Sequence, residues 1–198
     1  MMGMSGGIKR AIANAGWKIS RWQHVSTVAI EPGKPSLLIG APHTSNWDFI
    51  LMLGIAWQLG LKIRFLGKDS LFKFPLGPIM RALGGIPVDR KHPYGIVENL
   101  VKEAKGNDAF VLVITPEGTR GAGTYWKSGF YRIAQETGIP VTLGYVDRTT
   151  MSVGLGVTFN VTGDVRADMD FVREFYADKT GYHPQLRTEP RLREEDRN

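Results

Sequence analysis

The sequence predicts an α/β fold with a largely parallel central sheet flanked by helices, preceded by an N-terminal amphipathic helix. Two patterns carry this prediction. Short apolar runs alternate with segments whose apolar residues recur every three or four positions, and alternating strand and helix favours parallel strands with helices on their faces. The chain is also long enough, at 198 residues, to bury a sizeable core. One domain spanning 1–198 is expected, with a helix at 8–25, a motif-bearing core at 36–146 and a polar tail at 181–198.

Each element has its own signal. Ile8, Ile12, Ala15, Ile19 and Trp22 share one helix face, with Lys9, Arg10, Lys18 and Arg21 largely off it. Such a helix either packs on the domain or lies in a lipid interface, with Trp17 and Trp22 at headgroup depth and its cations facing anionic lipid. Glu31-Pro32-Gly33-Lys34-Pro35 then breaks the chain. Strands are predicted at 36–41, 62–66, 110–114, 139–146 and 152–161, and helices at 48–59, 73–83, 93–105 and 127–137. In the helix at 93–105, Ile96, Val97, Leu100, Val101 and Ala104 form one apolar face, with Pro93 in its first turn and Gly106 at its end. Gly138 stops the helix before it. From Gly181 the chain is poor in apolar residues and rich in mixed charge, which predicts a loosely held terminus, with a final docking helix as the alternative.

Composition narrows the chemistry. There are no cysteines, so disulfides, thiolate metal sites and a cysteine nucleophile are excluded. The four histidines are scattered without ligand spacing, and no metal is expected. The formal net charge is +6, which favours phosphate-bearing partners. Nucleic acid is not among those expected, since no recognition motif is present. The longest apolar stretch, 49–61, is interrupted by Gln58 and falls short of the ~18–20 residues of a membrane span. The first residues show no secretory signal.

Two polar clusters stand at strand ends. His43-Thr44-Ser45-Asn46-Trp47-Asp48 follows the run 36–41, and Pro116-Glu117-Gly118-Thr119-Arg120 follows the run 110–114. Ligands of open α/β sheets bind at the carboxyl ends of strands, so parallel strands bring both clusters to one edge. His43 is the candidate general base, because an imidazole takes up and returns a proton near neutral pH. Asp48 would fix its tautomer and stabilise the imidazolium. Ser45 is read as a helix cap, and no Gly-x-Ser-x-Gly elbow occurs. Without a protein nucleophile, the base acts on a substrate hydroxyl in a ternary complex. Arg120 suits a phosphate or carboxylate, since its planar fork bonds two oxygens. Glu117 either meets an acceptor hydroxyl or holds Arg120. Gly118 permits a tight turn. Leu71-Phe72-Lys73-Phe74-Pro75-Leu76 is either an exposed patch near a bilayer or acyl chain, or core beside a turn. Tyr125, Trp126 and Tyr131 are read as packing residues.

These residues resemble the glycerophospholipid acyltransferase family, typified by 1-acyl-glycerol-3-phosphate acyltransferases. Four blocks occur in family order: His43 to Asp48; Phe65 to Phe72 leading to Gly84 through Arg90; Pro116 to Arg120; and Gly138 to Val141. The resemblance implies transfer of a fatty acyl group to a lipid hydroxyl. The donor is an acyl-CoA or acyl-carrier-protein thioester, and no other cofactor is needed. It makes His43 and Asp48 the catalytic pair. It assigns Arg90, Glu117, Gly118, Thr119 and Arg120 to acceptor binding, with Lys68 adding positive charge. The chain departs from the common pattern at Thr115, Gly121 and Leu143. The acceptor is therefore read as a lysophospholipid, 1-acyl-glycerol-3-phosphate first, with lyso-ornithine lipid as an alternative. A peripheral protein on the cytoplasmic side, held at an anionic membrane surface, is implied. A non-catalytic lipid- or phosphate-binding module is the competing reading, and a thioesterase using the same base on water is a third.

Overall fold

A computed structural model of the chain describes residues 6–31, 33–89, 95–107 and 109–196. Its centre is a seven-stranded sheet in the order β1-β7-β6-β2-β5-β3-β4. The strands are β1 (Gln23–His24), β2 (Ser36–Ala41), β3 (Ile63–Lys68), β4 (Gly85–Val88), β5 (Val111–Ile114), β6 (Val141–Asp147) and β7 (Ser152–Phe159). Strands β6, β2, β5, β3 and β4 are parallel; β7 runs antiparallel to β6, and β1 parallel to β7.

The central strands are continuous apolar runs because both faces of the sheet are covered. Every residue of β5 is buried, and so is every residue of β2 except Gly40. Alternate side chains serve two layers. Leu37, Ile39, Leu112 and Ile114 pack with α4 (Ile96–Lys105), α5 (Gly129–Thr137) and α6 (Val165–Tyr176). Leu38, Phe65, Val111 and Val113 pack instead with α2 (Trp47–Leu59). Met80 and Leu83, in and just after α3 (Gly77–Ala82), join that second cluster. On its outer side α2 carries α1 (Gly6–Ser20), with the Trp17 ring set against Gly54. A helix apolar all round, as α2 is, needs cover on both sides.

The strand and helix predictions over 36–146 match, with boundary shifts of at most three residues. The helix expected at 73–83 is the exception. It is shortened to α3, Gly77–Ala82, and is preceded by a 3₁₀ turn at Asp69–Phe72. Prolines at 75 and 78 remove the N–H groups a continuous helix requires. The 93–105 helix is described from Ile96, and Pro93 lies outside the described residues.

Three elements are additional. β4 contains Pro87, which an edge strand tolerates because one side of its backbone is unpaired. β1 is two residues long. α6 opens on an Asp164 side chain that accepts the N–H of Ala167, a capping arrangement, and buries Met169, Val172 and Tyr176 at helical spacing.

Two expectations are corrected. The N-terminal helix ends at Ser20, and its tryptophans do not face outward. Trp22 is buried and stacks on Tyr182; Trp17 is half-buried and stacks on His24. They dock the helix on the domain, while Ile8, Ile12 and Ile19 remain exposed. The polar tail is not loose through residue 196. Leu192 is fully buried, Trp126 donates its backbone N–H to Arg191, and Glu195 accepts from Arg173 and from the Leu192 N–H. Arg187, Arg191, Glu195 and Asp196 are partnered within the fold, so low hydrophobicity does not leave it unanchored.

Candidate functional site

Strands β2 and β5 are paired neighbours, with Ile39 opposite Ile114. The chain leaving each therefore emerges on the same edge, and the two polar clusters meet there. The backbone N–H of His43 donates to Glu117 Oε1 at 2.6 Å. The turn between β2 and α2 closes on Asp48, whose Oδ2 accepts the N–H groups of Thr44 and Ser45, each at 2.7 Å. The same oxygen lies 3.3 Å from His43 Nδ1. Asp48 is in the first turn of α2, where the helix dipole favours a negative charge. Ser45 accepts the N–H of Trp47 through Oγ, and Asn46 is the N-cap residue without a side-chain bond.

This geometry turns Nδ1 toward the carboxylate and leaves Nε2 without a hydrogen bond among the described residues. The His43 side chain is 21% exposed and that of Asp48 only 6%, so the imidazole reaches solvent while its partner does not. Asp48 Oδ1 is buried with no hydrogen-bond partner among the described residues. Its hydrogen-bonding capacity is thus incompletely used.

Glu117 is 3% exposed. Its Oε2 accepts the N–H of Thr188 at 3.3 Å, while Oε1 holds His43. Burial pushes its carboxyl above the ordinary range, and the two backbone N–H groups work against that rise. Tyr176 beneath it is pushed well up, first by burial and then by the Glu117 charge. Glu117 thus fastens the His43 turn to the chain near the C-terminus and makes no bond with Arg120. Gly118 follows at φ +69°, a left-handed turn that releases the chain toward solvent. Thr119 and Arg120 are exposed, and Arg120 has no ion pair among the described residues. Lys68 is exposed at the end of β3, on the same edge and about 10 Å from β2 across one intervening strand. Arg90 lies outside the described residues. Trp126 and Tyr131 are buried packing residues, and Tyr125 bonds Asp196.

The segment 181–188 also belongs to this site, and no sequence signal marked it. Thr44 is buried, and its Oγ1 accepts the N–H groups of Tyr182 and His183 at 3.0 and 2.9 Å. Gly181, at φ +68°, passes so close that a Cβ there would stand 2.9 Å from Pro42. Thr188 receives the Trp126 indole N–H on its carbonyl and the Gly123 N–H on its hydroxyl. The segment is a strap across the back of both motif turns. Its signals, single threonines and a glycine, are too sparse to separate from an ordinary loop.

An apolar cavity of about 120 Å³ adjoins His43 and Asp48 and lies between the sheet and α2. Phe49, Met52 and Ala56 line it from the helix, and Ile39, Phe65 and Val113 from strands. Asp48 to Ala56 spans ~12 Å of helix axis.

The fold thus sets a histidine–carboxylate pair at the carboxyl edge of an α/β sheet, beside an apolar cavity. The family model described as Acyltransferase matches residues 23–142. The chain belongs to the acyltransferase family, as its motif blocks implied, and is an acyltransferase. Its fold is similar to that of the 1-acyl-sn-glycerophosphate (LPA) acyltransferase PlsC from Thermotoga maritima, with a TM-score of 0.59 and 19% identity. That match covers 84% of this chain and 76% of the other. No curated protein sequence matches. The strap lies outside the span that the family model matches.

Two outcomes follow from this geometry. Both donors on Glu117 are N–H groups, so Glu117→Gln supplies one acceptor where two are needed and sets an amide NH₂ against an N–H. The loss is about 1–3 kcal/mol of stability, read by denaturant unfolding, together with reduced turnover. Thr44→Val keeps the side-chain shape but removes the acceptor for Tyr182 and His183. It should lower Tm by roughly 2–12 °C and reduce kcat although Thr44 takes no part in proton transfer. An unchanged melting curve with full activity would remove the strap's role.

Proposed function

We propose that this acyltransferase moves a fatty acyl group from a thioester donor, acyl-CoA or acyl-carrier protein, to the free hydroxyl of a lysophospholipid, with 1-acyl-glycerol-3-phosphate as the preferred acceptor. One observation carries the reading: a partly exposed imidazole, Nδ1 toward a buried carboxylate and Nε2 without a hydrogen bond among the described residues, adjoins an apolar cavity. In this mechanism His43 Nε2 takes the proton of the acceptor hydroxyl as its oxygen attacks the thioester carbonyl carbon. Asp48 stabilises the imidazolium. The tetrahedral adduct then collapses, the C–S bond breaks, and the imidazolium returns the proton to the departing sulfur. The products are an ester and a free thiol. The cavity along α2 receives the acyl chain and excludes water from it.

Arg120, exposed and without an ion pair among the described residues, supports a phosphate on the acceptor, and Lys68 adds charge along the same edge. Arg90 is proposed to join them on the strength of its motif position. The role of Glu117 in this scheme is to hold the His43 turn rather than to bind the acceptor. No described helix is long and apolar enough to cross a membrane. The net charge of +6 suits peripheral contact with the anionic, cytoplasmic leaflet, where such an acceptor resides.

His43→Ala should lower acyl transfer by at least ~10²–10⁴-fold with the fold retained, measured as thiol release from acyl-CoA in the presence of lysophosphatidate. Appreciable turnover in that variant sinks the mechanism. Product analysis separates transfer from hydrolysis: ester supports the proposal, and free fatty acid would make the enzyme a thioesterase. A panel pairing both donors with lysophosphatidate and lyso-ornithine lipid fixes the substrates. Arg120→Ala should raise the acceptor KM about 10–100-fold with donor KM unchanged, the range expected for one charge-assisted phosphate contact. An unchanged acceptor KM removes its assignment.

A further inference from the structure

Helix α2 covers one face of the sheet with α1 on its outer side, Met80 and Leu83 of the α3 region pack into the same layer, and the outward surface of these elements is unusually apolar. Ile19 is 83% exposed, and Trp47, Ile50 and Ile79 are each more than half exposed. The furthest projection is at the turn between Phe72 and α3, where Phe74 is 91% exposed and is flanked by exposed Leu71 and Leu76. This is the segment that the sequence left open between patch and core.

The turn is built to hold Phe74 outward. Phe72 is buried against Gly67 and Gly85, anchoring one side. The Arg81 guanidinium lies over the Phe72 ring, 5.4 Å from its centroid, and donates to the Phe72 carbonyl at 3.1 Å. The N–H of Gly77 donates to Lys73 across the turn at 2.8 Å. One phenylalanine is therefore core and the next is presented to the outside by a braced loop.

Charge identifies what it meets. Exposed Lys68, Lys73 and Arg81 surround the turn, and α1 adds Arg10 and Lys18. Asp69 is the exposed carboxylate of the 3₁₀ turn. Among the described residues α1 and α3 carry no carboxylate, and the one carboxylate of α2, Asp48, is buried. Apolar side chains projecting from a cationic rim match an anionic bilayer, with rings at the acyl boundary and cations at the headgroups. The loop leaves β3 at the carboxyl edge, about 10 Å across the sheet from the strand that carries His43.

We propose that the Phe74 turn is a membrane-inserting wedge, a second lipid contact besides α1, which sets the carboxyl edge of the sheet against the bilayer. It deepens the lysophospholipid reading by fixing how the site meets its lipid, and it rests on that reading only for the purpose of the contact. Two contacts define an orientation where one helix would leave the molecule free to roll. A lipid acceptor then reaches His43 without leaving the interface.

The chain has no cysteine, so a thiol placed at one position can be labelled alone. The full-length Phe74→Cys variant, carrying an NBD fluorophore, is mixed with phosphatidylcholine vesicles containing phosphatidylglycerol. The same label on Lys105→Cys, at the end of α4 on the opposite layer, is the control. NBD emission at position 74 should rise and shift to the blue, and be quenched by doxyl lipids, while the control stays aqueous. Phe74→Ser should bind these vesicles about tenfold more weakly, the change expected on withdrawing one ring from hydrocarbon, with an unchanged melting curve. It should also keep wild-type turnover of a short-chain, monomeric lysophosphatidate. An aqueous signal at 74 on vesicle-bound protein, or equal vesicle binding by Phe74→Ser, overturns the wedge. So does a signal that grows with protein concentration in the absence of lipid, which would assign the turn to self-association. These readouts do not depend on catalysis, so failure of the His43 mechanism leaves them intact and is separately visible.

Discussion

A carboxylate buried to the extent of Glu117 must find donors, and it finds them in the backbone N–H groups of His43 and Thr188. Each bond to a charged group is worth about 1.5–3 kcal/mol net, and an unmatched carboxylate at that depth would cost more. The His43 turn is thereby fixed by its backbone and not by its imidazole. The ring is left free for the proposed proton transfer while the main chain remains in place. The arrangement also ties residues 74 apart in the chain, β2's turn to β5's, and both to a segment beyond residue 180.

Asp48 repeats the same logic at shorter range. One of its oxygens receives two N–H groups of the turn and also faces the ring; the other has no partner among the described residues. A single residue thus shapes the loop, starts α2 and sets the electrostatics of the base. Removing it would disturb all three at once, so loss of activity in an Asp48 variant would not isolate a catalytic role. Thr44 offers a cleaner separation, because it shapes the loop from the side away from the ring.

Much of this was legible before any coordinates. The strands at 36–41 and 110–114 are short apolar runs that end in polar motifs, and parallel pairing of neighbours brings their ends together. What could not be read was anything that depends on contacts distant in sequence. Glu117 reads as an acceptor ligand, or as a holder of Arg120, from its place in the Pro116–Arg120 motif; its burial and its bond to Thr188 depend on contacts with the strap, which sequence pattern does not align with it. The terminus looked frayed because composition does not record that Leu192 and Glu195 are buried within the fold. Trp17 and Trp22 fit an interfacial helix by type and spacing, yet the ring faces are taken by Gly54, His24 and Tyr182. In that helix the isoleucines, not the tryptophans, are left outward. α6 was the exception: its capping aspartate and its Met169-Val172-Tyr176 spacing were present to be read.

Helix α2 accounts for the joint placement of base, cavity and apolar surface. Its sequence, Trp-Asp-Phe-Ile-Leu-Met-Leu-Gly-Ile-Ala-Trp-Gln-Leu, has almost no polar face, which in isolation would suggest a fully buried helix. Each face instead has a separate use. Asp48 at its start holds the His43 turn; Phe49, Met52 and Ala56 line the cavity; Leu51 and Leu53 are core; and Gly54 accepts the ring of Trp17 from α1. Trp47 and Ile50 remain outward beside the site. A polar residue on any of these faces would disturb packing, the apolar cavity or the exposed surface. The lack of amphipathicity that makes α2 uninformative as a pattern is therefore the condition for its three roles, and it places the cavity one helix thickness from the surface proposed to meet lipid.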